Sequence, residues 1–205
     1  MLKRFQRKVD KVNARKVLDR VCECVNKLNE LMDSDEFVHP YMITVEFRNS
    51  GKRAGLCYSS VKKFDRINNS HKLVFNSLII DKELDHILDV TIPHEVCHMF
   101  ANAIYMATDG PQGHGKNWKD LMSALGLSPE RTAPQELNIH GLYNGHIYKC
   151  GCKEHVIGES MHNNDYEYMC CSCNGIVKDT GVVVQKIHYE KQRFELEYEK
   201  KINWK

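Results

Sequence analysis

Thr91-Ile92-Pro93-His94-Glu95-Val96-Cys97-His98 holds a His-Glu-x-x-His pentad. On a helix, histidines four residues apart project from one face, one turn above the other, a separation that suits two imidazoles on a single zinc ion. Glu95 lies to the side, where its carboxylate can reach a metal-bound water and take its proton during attack on a carbonyl. Zinc lowers the pKa of that water toward about 7. The helix itself is legible. Thr91 is an N-cap candidate, Pro93 falls in the first turn, Ile92, Val96, Met99, Ala103 and Met106 form an apolar stripe, and Asp109-Gly110-Pro111 ends it.

A bare pentad also arises by chance on a charged helix, so the third ligand matters. A metzincin pattern needs glycine at Ala101 and histidine at Ile104 and is excluded. Glu130 and Glu136 are glutamate candidates, but both fall in a polar, proline-bearing stretch between Ser128 and Gly145. His114 is preferred. Its flanking Gly113 and Gly115 permit close backbone approach, and a helix marked by Trp118, Leu121, Met122 and Leu125, closed by Gly126, fixes its position. Cys97 reads as a small buried hydrophobe.

Around this centre, Leu2, Phe5, Val9, Val12, Val21, Val25, Leu28 and Met32 recur at helical spacing, predicting a helix over 2–32. Residues 1–20 carry eight basic and two acidic side chains, although the whole chain of 205 residues is only +2. Ile43, Val45 and Phe47 alternate as a strand, Asn49-Ser50-Gly51 turns the chain, and Lys72–Phe75 forms another strand. One of these two strands is expected to offer the edge on which an extended substrate pairs. With no 18-residue apolar run and no signal-peptide core, the expectation is a soluble protein, cytoplasmic or nucleoid-associated, or nuclear in a eukaryote.

Nine cysteines include five crowded at Cys150, Cys152, Cys170, Cys171 and Cys173, a pattern of metal binding in a reducing compartment. Cys170 and Cys173 form a C-x-x-C knuckle with Asn174-Gly175 as its turn. Cys150 and Cys152 stand only two positions apart, so His155 is an alternative fourth ligand and His162 a further candidate. Four ligands would close a structural zinc site, because no position stays open for water or substrate. Cys171 is then a spare thiol, and Cys22, Cys24 and Cys57 are core or surface residues. Phe194, Leu196 and Tyr198 suggest that the last strand joins this small β unit.

These residues resemble the SprT family. Gly51-Lys52-Arg53-Ala54-Gly55, the strand Leu73–Asn76, the pentad after Thr91-Ile92-Pro93, His114-Gly115-Lys116-Asn117-Trp118 and Glu130-Arg131-Thr132 stand in family order. Tyr148 to His155 and Tyr168 to Cys173 resemble its C-terminal zinc ribbon. The likeness covers roughly residues 37 to 178. It implies an α+β protein, a minimal zincin-type metalloprotease domain of helices packed on a small sheet, followed by a small β zinc ribbon. It also implies relation to the Spartan proteases, which degrade proteins trapped covalently on DNA. Under it His94, His98 and His114 hold a catalytic zinc, Glu95 is the base, and Cys150, Cys152, Cys170 and Cys173 hold a structural one.

The expected organisation is a basic amphipathic helix over 1–36, the zincin domain with its linker over 37–145, the ribbon over 146–180 and a charged extension over 181–205. Protein substrates, and DNA in single-stranded or damaged form, are the expected partners. The basic N-terminal face could lie along phosphates, whereas Tyr148–Glu190 holds four lysines against six acidic residues and makes no evident phosphate clamp. Tyr148, Tyr166 and Tyr168 read as ribbon core before they read as base-stacking platforms. Competing readings are a peptidase with no nucleic-acid role and a zinc-stabilised nucleic-acid-binding or adaptor module without proteolytic activity. An uncoordinated glutamate beside the metal argues against the latter.

Overall fold

Asp10 decides where the first helix starts. Its side chain accepts hydrogen bonds from the backbone of Val12 and Asn13, capping a helix over Lys11–Leu31 (α1). The computed structural model describes residues 6–32, 38–62, 69–129, 141, 144–162 and 167–196. Leu2, Phe5, Glu130–Thr132, Glu136, Tyr166 and Tyr198 lie outside them. The helix is thus shorter than the apolar spacing predicts, and Val12 is exposed, while Ala14, Val17, Leu18, Val21, Cys24, Val25 and Leu28 form the buried stripe.

The chain divides into a large unit, Lys8–Leu137 with Tyr189–Lys205, and a small one, Met1–Arg7 with Asn138–His188. In the large unit, Ile43–Arg48 (β1), Gly55–Ser60 (β2), Ser70–Asn76 (β3) and Gln192–Glu195 (β8) form one sheet in the order β2-β3-β1-β8. β1 runs parallel to β3 and antiparallel to β8, and β2 runs antiparallel to β3. Ile43, Val45, Phe47, Leu73 and Phe75 are essentially solvent-free and share one face of the sheet, and Glu46 and Val74 on the other face are buried as well.

Two expectations change here. The last strand does not join the small β unit: β8 pairs with β1, Phe194 sets its ring 5.0 Å from that of Phe47, and Leu196 is buried. Local alternation marks a strand but does not name its partner. Nor do β1 and β3 offer an edge, since each has two neighbours; among the described residues the edges are β2 and β8.

Ser77–Lys82 (α2) and Leu84–His86 (α3) lead through a wide π-type turn, Ile87–Thr91, into Ile92–Asp109 (α4). Thr91 therefore does not cap α4; its backbone is helical and its side chain makes no capping bond. Pro93 lacks an N–H and its ring crowds the carbonyl four residues back, which favours a widened turn in place of a fresh start. Lys116–Ala124 (α5) ends as its sequence predicts. Gly126 has φ of +79°, Leu127 N–H bonds the Met122 carbonyl, and Gly126 N–H bonds that of Ser123.

The small unit is a sheet of Gly145–Lys149 (β4), Glu154–Gly158 (β5), Tyr168–Met169 (β6) and Ile176–Val184 (β7), ordered β5-β4-β7-β6. Its core is small: Tyr148, Cys150, Cys170 and Val177, with Ile157 and Tyr168 packed against them. Tyr148 and Tyr168 meet edge-on with centroids 5.6 Å apart, so both are core rings as the sequence suggests. A core this size needs a staple.

Candidate metal centre

Helix α4 carries His94 and His98 one turn apart, and the loop after it returns His114 to the same spot. The three Nε2 atoms form a triangle with sides of 3.2 Å (His94–His98), 3.1 Å (His98–His114) and 2.9 Å (His94–His114). No pattern of tautomers pairs three such nitrogens, whereas one cation satisfies all three lone pairs. Tetrahedral ligation at about 2.0–2.1 Å puts ligand nitrogens about 3.3 Å apart, close to the triangle found, so the three residues fit a zinc-sized ion. Burial, and then the neighbouring histidines, push His94 down to about 4; burial and His114 do the same to His98. Neutral imidazoles are the form that ligates.

The loop is tied in place. Asn102 on α4 accepts from the Gln112 backbone at 2.8 Å, Asn117 on α5 donates to the Gln112 side chain at 3.1 Å, and the Gln112 backbone bonds the His98 ring. Trp118, fully buried, closes the floor. Its ring lies 4.7 Å from those of His94 and His114 and stacks on His98 at 5.4 Å, and its indole N–H donates to the His94 carbonyl at 3.2 Å. Such contacts fix ring orientation around a metal. The sequence marked Trp118 only as helix core, because its four-residue distance from His114 carries no signal of contact with all three rings.

Glu95 is 9% exposed, and burial pushes its carboxyl up to about 7. A proton acceptor poised there suits catalysis near neutrality. Gly55, at the start of edge strand β2, makes room for it: a Cβ at that position would meet Thr91 Cγ2 at 2.6 Å, Glu95 Cγ at 2.8 Å and Glu95 Oε1 at 3.1 Å. Two residues on, Cys57 is pushed up to about 12 by burial, with Glu95 adding to the shift. Cys97 is fully buried and stays out of the histidine group, as its plain reading holds.

In the small unit Cys150, Cys152, Cys170 and Cys173 gather within one cluster. Sulfur separations are 3.4 Å (Cys150–Cys152), 3.6 Å (Cys152–Cys170) and 3.7 Å (Cys150–Cys173). Four sulfurs at about 2.3 Å from one tetrahedral ion stand about 3.8 Å apart, so this set also fits a metal. The two-position spacing of Cys150 and Cys152 is accommodated by a turn in which Cys150 N–H bonds the Lys153 carbonyl. At the knuckle Asn174 adopts φ of +54°, and Ser172 N–H points at Cys170 Sγ at 3.4 Å. Backbone bonding from Cys152, and then the His155 ring, hold Cys150 down to about 5; the thiols of Cys150 and Cys173 push Cys152 up. His155 Nε2 approaches Cys150 Sγ at 3.5 Å but is not one of the four clustered residues, and Cys171 is exposed and outside it. His162 sits elsewhere, beside Tyr148.

The sequence pattern of the SprT-like family matches residues 21–139, which include the pentad and His114 and stop short of the clustered Cys150, Cys152, Cys170 and Cys173. Protein SprT of Pseudomonas aeruginosa is 26% identical over 150 residues, 70% of this chain and 84% of the relative. Protein SprT of Vibrio atlanticus is 24% identical over 172 residues, 82% of this chain and 93% of the relative. Protein SprT of Glaesserella parasuis is 25% identical over 140 residues, 65% of this chain and 81% of the relative. No solved structure matches the chain. With well over half its length inside the family pattern, the chain belongs to the SprT-like family.

Proposed function

We propose that the protein is a zinc metallopeptidase acting on DNA-associated or DNA-crosslinked proteins. The observation that carries the peptidase reading is the convergence of three Nε2 atoms within 3.2 Å of one another, one residue along the helix from a buried glutamate. His94, His98 and His114 hold the ion, and Cys150, Cys152, Cys170 and Cys173 hold a second, structural one. When bound, zinc supplies Lewis acidity toward water and the scissile carbonyl. Glu95 takes the proton of the attacking water at its carboxylate and delivers it to the leaving nitrogen. Gly55 keeps space for that carboxylate, and the open edge of β2 accepts an extended polypeptide as an added strand beside it.

The DNA part of this reading rests on the family likeness and on the basic N-terminal segment. Its test is cleavage of a protein crosslinked to single-stranded DNA, run beside the same protein without DNA. Cleavage that depends on DNA supports the assignment. Cleavage indifferent to DNA leaves a general metallopeptidase, and no cleavage in either arm removes the peptidase reading.

A further inference from the structure

A second group of ligating side chains stands in the small unit, apart from the four cysteines. His146 projects from β4, His162 ends the short turn Glu159–Met161, and Asp179 lies on β7; one ligand atom from each falls within 4.8 Å of the others. The His146 and His162 rings stack at 3.4 Å with 4° between their planes. Asp179 Oδ2 lies 3.9 Å from His162 Nδ1, and the Tyr148 hydroxyl lies 3.0 Å from that same nitrogen.

Three features make this more than surface proximity. His146 Nε2 is buried without a hydrogen-bond partner, and Glu159 Oε2 stands 3.5 Å away. Such an orphan is costly unless something satisfies it. Second, the β4–β7 ladder slips between Ile147 and Tyr148, moving the pairing from Ile147–Val182 to Tyr148–Asp179. Gly181 there has φ of +73°, Thr180 Oγ1 donates to the Ile147 carbonyl at 2.6 Å, and Gly181 N–H holds Asp179 Oδ1 at 2.9 Å. Bulges of this kind re-aim a side chain, and this one turns the free Oδ2 toward His162. Third, a cleft of 490 Å³ lined by Asn144, Glu159, Val183, Val184, Lys186 and His188 opens beside Glu159.

We infer that His146, His162 and Asp179, with Glu159 at the rim, form a further binding site for a divalent transition-metal ion. Two imidazoles and two carboxylates suit Zn2+, Ni2+ or Cu2+, whereas hard ions such as Mg2+ prefer oxygen alone. Parallel rings aim their lone pairs side by side, so sharing one ion takes a side-chain tilt of His162, which is 24% exposed. The ion would clip the Glu159–Met161 turn onto the sheet, adding a staple to a unit whose core holds four buried residues among those described.

The test counts bound zinc in the full chain after equilibration with micromolar free Zn2+, beside the variants His146→Asn and His162→Phe. The phenylalanine keeps a flat ring for the stack and removes the ligand. One equivalent more in the native chain than in each variant is the expected result, with the four-cysteine ion, released separately by a thiol-blocking reagent, unchanged. Equal counts in all three overturn the inference. Failure of the three-histidine reading lowers every count alike and leaves the difference intact. With Co2+ as the probe, the ion lost in the variants shows weak d–d absorption; a thiolate charge-transfer band in that difference also overturns it.

Discussion

Replacing Gly55 by alanine moves Glu95 without touching any ligand. The added methyl would stand 2.6 Å from Thr91 Cγ2 and 2.8 Å from Glu95 Cγ, where carbon atoms ordinarily rest about 3.5–4.0 Å apart. Thr91 is 6% exposed and belongs to the π-type turn, so it has little room to yield. Glu95 Cγ must therefore retreat by roughly 0.7 Å or more to restore contact. Overpacking of this kind costs about 1–3 kcal/mol of stability, which a domain tolerates. A catalytic group misplaced by about 1 Å costs on the order of 100-fold in rate, or about 2.7 kcal/mol of barrier. The assay is steady-state cleavage of a DNA-crosslinked protein, with melting temperature and zinc content measured on the same samples. A folded Gly55→Ala protein with native zinc and kcat lowered about 100-fold is expected. A folded variant with native kcat would refute the claim that this glycine sets the position of Glu95.

Trp118→Phe keeps an aromatic floor but removes the bond to the His94 carbonyl, so competitive chelation should find zinc affinity at the histidines lowered by about tenfold or more; unchanged affinity would contradict the positioning role. His71 is 2% exposed, donates or accepts at Ser59 through Nδ1, and is pushed by burial down to about 4. The unfolded chain thus takes up its proton first, and stability present above the ordinary value of 6.5 falls as pH drops toward 4, by roughly 2 kcal/mol at pH 5. Denaturant titration against pH should show that fall in the native chain and a flatter curve in His71→Gln. Cys173→Ser should release one equivalent of zinc and the amide-exchange protection of β4 and β7, while the equivalent held by His94, His98 and His114 stays bound.

The pairing of His94 with His98 and of Cys170 with Cys173 was legible because helical spacing and knuckle spacing are local facts. Gly126 was legible for the same reason, since a left-handed C-terminal turn needs only its own neighbours. What escaped depends on pairs far apart in the chain. Nothing near Gly55 signals that Thr91 and Glu95 crowd it, and nothing near Phe194 tells that its strand crosses back to β1. The start of α1 shows a different limit. Apolar spacing extended the helix to Leu2, yet a capping aspartate at position 10 outweighs it where the described helix begins. At Thr91 the cap residue was right in type, but the backbone was already helical, so the side chain found no orphan N–H to accept from.

Glu95→Gln in the full, zinc-loaded chain is the measurement that bears most directly on the peptidase reading, since it removes the base and keeps the shape. Zinc content and melting should match the native chain while cleavage of a DNA-crosslinked protein falls by about 10²–10⁴-fold. Cleavage at the native rate in a variant that keeps its zinc would contradict the proposed chemistry.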